Sequence, residues 1–160
     1  MRIDRSTLEA LDRVVVAAVG ITTLALAQAD SADLTFPQWR VLVVIGEHPP
    51  GLRVNEIAAR IGASSPSASR LVRRMERAGL LRAERDEGDR RATLVRLTDE
   101  GGRVRSTVLG DRRRLMSRLF RKREGSLPRQ LEPGLQEIAA ILSSFVGPPS
   151  TSPIAPESRG

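Results

Sequence analysis

Apolar residues recur along this chain at helical spacing in five or six separate blocks, and at strand spacing only once. From Asp4 to Gln28, Leu8, Leu11, Val15, Ala18, Thr22 and Ala25 repeat at intervals of three and four. Val14, Val19, Ile21 and Leu26 widen that stripe around most of the helix. A helix this apolar needs cover on several sides, so part of its surface is a candidate subunit interface. Ser6 and Glu9 have the spacing of a capping box at its start. A second helix begins at Thr35-Phe36-Pro37-Gln38, runs through Trp39, Leu42, Val43 and Ile45, and ends in Gly46-Glu47-His48-Pro49-Pro50-Gly51. Leu52-Arg53-Val54 is long enough for a single bridge and no more.

The stretch from Asn55 to Leu97 has the densest local signals. Ile57, Ala58 and Ile61 share one face of a short helix, and Gly62 stands where it must stop and turn. Ser65 offers a cap for the next helix, with Pro66 at its first position. Ala68, Leu71, Val72 and Met75 form the apolar stripe of that helix. Ser67, Ser69, Arg70, Arg73, Arg74 and Arg77 form its polar face. Gly79-Leu80-Leu81 supplies a glycine terminus with its hydrophobic contact. Then the period changes to two: Leu81 to Arg85 and Ala92 to Leu97 read as a hairpin, with Asp86-Glu87-Gly88-Asp89-Arg90 as its tip. Two helices around a tight turn, then a basic hairpin, predict a winged helix-turn-helix, which presents its second helix to a major groove. The wing would reach a neighbouring minor groove.

Thr98-Asp99-Glu100 opens a long helix whose stripe (Val104, Val108, Leu115, Met116, Leu119, Phe120) continues to about Arg123. That is about 25 residues, or roughly 38 Å, more than a small domain needs. Arg112-Arg113-Arg114, in the middle of it, reads as a solvated face. After Gly125-Ser126-Leu127-Pro128, Leu131, Leu135, Ile138, Leu142 and Phe145 mark a last helix. Residues 148–160, rich in proline and serine, read as a disordered tail. The fold expected is mainly α with a small β-hairpin wing. Residues 1–147 make one domain: a winged unit over about 52–98, with dimerisation helices over about 4–29 and 98–146.

Composition narrows the function. The formal net charge is +7 and the pI about 11.4, which favours a polyanionic partner. Lys122 is the only lysine, and arginine suits bidentate phosphate and guanine contacts; a GC-rich genome also gives an arginine-dominated basic set. There is no cysteine and one histidine, His48, placed in a Pro-Pro turn as a solvated residue. That inventory disfavours a zinc site, a metal sensor of the ArsR type, a thiol switch and any nucleophile–base pair, so neither enzyme nor cofactor is expected. No apolar run is expected to be long enough to span a bilayer, Glu9, Asp12 and Arg13 interrupt any apolar core of signal-peptide type, and the cytoplasm is the default.

The order of elements resembles the MarR family of bacterial transcriptional regulators. The resemblance rests on Glu56-Ile57-Ala58 with Ile61-Gly62, on Ser69-Arg70-Leu71-Val72-Arg73-Arg74-Met75-Glu76 with Gly79-Leu80, and on Asp89-Arg90-Arg91 followed by Val95-Arg96-Leu97-Thr98 and Gly101. It spans about Leu8 to Phe145. It implies a homodimer with interlocked first and last helices, facing a pseudo-palindromic operator in double-stranded DNA. Carried over by position, Ser67, Ser69, Arg70 and Arg74 enter the major groove, beside Arg73 on the same face. Ser65 caps the helix and touches phosphate. Arg91 sits at the wing tip beside Arg90, held by Asp89. It further implies a repressor released by a small aromatic ligand bound near Trp39, between the first helix, the Trp39 helix and the start of the long helix. The absence of tyrosine makes stacking partners for such a ligand scarce. An architectural DNA-binding protein without an effector is the alternative.

Overall fold

The structure, a computed structural model, describes residues 3–28, 34–85, 93–121, 128 and 131–146. The expected tail, the wing tip and the Ala92 end of the second strand lie outside these residues. Within them the order is α1 (Arg5–Gln28), α2 (Phe36–Gly46), α3 (Val54–Ile61), α4 (Ser65–Arg77), β1 (Leu81–Arg85), β2 (Thr93–Leu97), α5 (Asp99–Arg121) and α6 (Leu131–Val146). The architecture is mainly helical with one antiparallel hairpin, as the periodicities predict.

The core belongs to the winged unit and α2. Val41, Leu42, Val44 and Ile45 of α2 pack against Leu52, Ile57 of α3, Val72 and Met75 of α4, Leu81 and Val95. Strand register pairs Leu81 with Leu97 and Ala83 with Val95. Leu52 makes an isolated bridge to Val95, which adds a third edge to the hairpin and ties it to the α2–α3 connection. A second, smaller cluster joins Ala25 of α1, Trp39 of α2 and Val108 of α5.

Helix ends follow local chemistry, with two corrections. Thr35 and Gln38 make the expected reciprocal capping box on α2. On α1, Asp4 takes the capping role expected of Ser6: its carboxylate accepts from the Thr7 N–H at 2.8 Å and from the Ser6 and Thr7 hydroxyls. These hydrogen bonds, the Thr7 backbone first, hold its pKa down to about 2. On α4, Ser64 rather than Ser65 is the N-cap, its Oγ accepting from the Ser67 N–H at 3.4 Å. Ser65 and Pro66 are already in the first turn. The hydroxyl three residues before that N–H is the one that reaches it.

Thr98 joins the wing to α5. Its hydroxyl donates to the Gly79 carbonyl at 2.6 Å and accepts from the Gly101 N–H at 3.0 Å. Gly101 passes so close to the Leu80 carbonyl that a Cβ there would lie 2.1 Å from the oxygen. That approach is why a threonine and a glycine three residues apart follow the second strand.

The flanking helices differ. In α1 only Thr22 and Ala25 are buried, while Val14, Val15, Val16, Val19 and Leu24 are exposed. In α6 none of the residues whose burial is described is buried, and Leu131, Leu135, Ile141 and Leu142 are exposed. Leu119 and Phe120 at the far end of α5 are exposed as well. One expectation is overturned here: α1 is long and apolar enough to cross a membrane by length and composition. Its charges sit in the first turns, and Val14 to Gln28 carries none.

Candidate nucleic-acid interface

Helix α4 is split cleanly by its own sequence. Ala68, Val72 and Met75 are buried in the core, which fixes the rotation of the helix and turns Ser67, Arg70, Arg73, Arg74 and Arg77 outward. Ser69 is half-buried at the edge of that face, and Ser65 is exposed in the first turn. Gly62, in the left-handed region at φ 70°, makes the turn that sets α4 across α3. The outward side chains are lightly tethered. Arg70 donates to the Ser67 Oγ at 3.3 Å, and Ser67 also accepts from the Ser64 hydroxyl at 3.0 Å. Among the described residues, Arg73 and Arg74 have no carboxylate partner. Four guanidinium groups on one exposed helix face, none with an ion pair among the described residues, suit phosphate oxygens and guanine edges. A groove of about 540 Å³ runs beside them, walled by Phe36, Arg40, Leu71, Ser67, Arg70 and Arg74 among others.

The base of the wing is organised by Glu84, which pairs with Arg82 at 2.7 Å and Arg96 at 3.5 Å. Arg96 also donates to the Pro50 carbonyl at 3.0 Å, bracing the hairpin against the α2–α3 loop. Asp89, Arg90 and Arg91 lie outside the described residues. The structure therefore brings together the five α4 residues and Ser65 but does not place the wing-tip set.

A second cleft, of about 480 Å³, opens between α1, α2, the middle of α5 and α6. Trp39 forms part of its wall and is 3% exposed, so it serves core and cleft together. The cleft meets the middle of the long helix, at Arg112, rather than its start, and α6 contributes Leu142. Three of its features escaped the sequence reading. Arg112 is half-buried, not solvated, and its Nε has no hydrogen-bond partner. Burial, and then the neighbouring Arg113, push its pKa below the ordinary guanidinium value. Arg60 is buried on α3 and its Nε is likewise without a partner. His48 is half-buried rather than solvated, with Nδ1 donating to the Val44 carbonyl at 2.8 Å. Arg60 follows Ile57 by three positions, on the helix face that turns inward, and that spacing was the one available signal. Among the described residues no group of His, Asp and Glu could hold a metal ion.

Residues 32–92 match the MarR family model. Over 69 residues the chain is 41% identical to the HTH-type transcriptional regulator TtmR of Methylorubrum extorquens, covering 43% of this chain and 35% of that protein. The chain spans about half the length, or less, of the curated relatives it matches. Among solved structures, RV1404 from Mycobacterium tuberculosis shares the fold at a TM-score of 0.72 and 24% identity, over 92% of this chain and 99% of that one. CouR from Rhodococcus jostii RHA1, solved bound to p-coumaroyl-CoA, does so at 0.65 and 24%, over 91% and 93%. The relatives are named as regulators and not as enzymes. Residues 32–92, which hold α2 and the winged unit, thus match the MarR family of transcriptional regulators, and the helical order of the chain is shared with solved folds such as RV1404.

Proposed function

We propose that the chain binds a defined sequence of duplex DNA as a two-fold dimer and represses transcription until a small ligand releases it. The observation that carries the DNA reading is the unneutralised arginine face of α4, held outward by the burial of Ala68, Val72 and Met75. Ser67, Ser69, Arg70 and Arg74 are the major-groove set, with Arg73 on phosphate. Ser65 at the exposed helix start contacts phosphate. Asp89, Arg90 and Arg91 are assigned to the wing and an adjacent minor groove.

The dimer reading is supported by the apolar faces that the single chain leaves open on α1, α5 and α6. A two-fold partner covers each such face with its own copy. This use of α1 accounts for its apolar surface without a membrane, and fits a cytoplasmic protein. Two copies of α4 on one side of a dimer meet successive major grooves, about 10–10.5 base pairs apart.

The ligand reading is supported by the cleft beside Trp39 and by the p-coumaroyl-CoA bound to CouR, which shares the fold. It separates this proposal from an architectural DNA-binding protein, which needs no such cleft.

Selection of bound DNA from a random duplex pool tests the central claim. The expected product is an inverted repeat with half-site centres about one helical turn apart. Inserting about five base pairs between the halves should abolish tight binding, because one half then faces away. Recovery of unenriched DNA, or full affinity for the spaced site, would refute the proposal.

A further inference from the structure

The hairpin that forms the wing is tied to the rest of the chain at its base, through both of its faces. On one face Leu81 and Val95 are buried in the core. On the other, register sets Arg82 directly across from Arg96, with Glu84 two residues along β1 on the same face. Like charges placed opposite one another destabilise a strand pair. Glu84 offsets this by meeting both guanidinium groups, Arg82 Nε at 2.7 Å and Arg96 Nη1 at 3.5 Å. Arg96 then reaches out of the hairpin. Its Nε donates to the Pro50 carbonyl at 3.0 Å, in the loop between α2 and α3. Its stem crosses Gly51, whose φ of 91° lies in the left-handed region. A Cβ on Gly51 would lie 2.8 Å from the Arg96 Cγ and 3.0 Å from the Val95 carbonyl oxygen, so glycine leaves the arginine this path. The next residue, Leu52, exchanges backbone hydrogen bonds with Val95 at 2.8 and 3.1 Å. That bridge fixes where the hairpin meets the loop, but one bridge leaves rotation about it open. Arg96, held by Pro50 on one side and Glu84 on the other, closes that freedom.

We infer that Arg96 and Glu84 are positioning residues for the wing, which together set the angle at which β1 and β2 leave the winged unit and so let the hairpin meet a duplex held by α4. The effect on binding rests on the DNA-binding function proposed above; the brace itself does not. A carboxylate on a DNA-binding surface repels phosphate, so electrostatics alone makes Glu84 a hindrance to binding. The brace gives it the opposite sign. Without that carboxylate Arg82 and Arg96 repel each other, and the Arg96 fork keeps only one of its two anchors. The hairpin then samples directions from which it misses the duplex, and the ordering it needs is lost from the binding free energy.

The test compares wild type, Glu84→Gln, Arg96→Gln and the double variant, as full chains, on the operator selected from the random pool. Glu84→Gln removes a negative charge, yet should bind the operator about fivefold or more weakly, the lower end of what one groove contact contributes. Equal or tighter binding would overturn the inference. Arg96→Gln should show a similar loss, and the double variant should lose no more than either single one, because each already breaks the brace. Additive losses would mean that the two residues act separately, and would overturn it as well. On a duplex trimmed to the two half-sites, where the hairpins have no flank to reach, all four proteins should bind alike. A deficit that persists there would place the effect in α4 and overturn the inference. Amide hydrogen exchange without DNA reads the brace itself. Exchange at Leu52 should speed up about fivefold or more in each variant, while Ile57 and Met75 in the core keep their wild-type protection. Unchanged protection at Leu52, or a matching loss at Ile57 and Met75, would overturn the inference. Failure of the wild type to bind any selected DNA would sink the proposed function instead, and the exchange comparison would remain readable.

Discussion

Helices α4 and α6 carry apolar stripes of the same kind, yet one is buried within the chain and the other is not. Ala68, Val72 and Met75 of α4 meet α2, α3 and the hairpin. Leu131, Leu135 and Leu142 of α6 are exposed, and among its described residues none is buried. The difference teaches that amphipathic spacing fixes which face is apolar but not what covers it. In the winged unit the cover comes from residues close in sequence. On α1 and α6 the described part of the chain leaves most of that face open.

The sharpest way to break this comparison is to remove apolar groups from both regions. Ile57→Ala, in the closed core, should cost about 2–5 kcal/mol in urea unfolding, because the cavity cannot collapse. Leu135→Ala should cost far less in dilute protein, where the chain is a monomer. Equal losses in the two variants would show that α6 is packed within its own chain.

Next comes the interface itself. Leu135→Glu should weaken self-association at least about a hundredfold by sedimentation equilibrium, since a dimer would bury two unpaired carboxylates. Its helical content as a monomer should match that of the wild type. A variant that dimerises normally would remove α6 from the interface.

A smaller effect sharpens the other half of the comparison. Arg74→Ala should weaken operator binding by about 1–3 kcal/mol and relax base preference in a repeat of the selection. Its unfolding midpoint should not move, because Arg74 is exposed and has no carboxylate partner among the described residues.

Smaller still are the caps. Ser64→Ala should cost about 1 kcal/mol of stability, whereas Ser65→Ala, one position inside the helix, should be close to neutral. The reverse order would move the start of α4 by one residue. On α1, the Asp4 carboxylate has its pKa depressed to about 2. Its contribution is therefore fully present above its unfolded value and is lost as pH falls through about 2. Asp4→Asn should make the α1 terminus insensitive to acid over that range in far-UV circular dichroism.

Much of this molecule was settled by local sequence. The Thr35–Gln38 box, the α3 stop at Gly62, the split faces of α4 and the Thr98–Gly101 entry to α5 each depend on residues within a few positions of one another. Period and capping chemistry act over that range, so the sequence displays them directly. The same reading misplaced the caps of α1 and α4 because adjacent side chains, Asp4 with Ser6 and Ser64 with Ser65, can offer similar oxygens, and only backbone geometry chooses between them. It also missed the apolar span of α1, by judging its apolar run too short.

What the sequence by itself determined, then, is the order of elements, the apolar face of each and the arginine set that α4 must present. Only the tertiary structure decided that Arg60 and Arg112, 52 positions apart in number, open on one cleft with Arg40, and that Arg40 holds the end of α3 while touching the groove beside α4. Such placement depends on how helices cross, and crossing is set by the summed packing of Val41, Leu42, Ile45, Trp39, Met75 and Val108 rather than by any one segment. An arginine on a helix looks the same in sequence whether it is solvated or buried beside a cleft. Its desolvation exists only once other elements close over it.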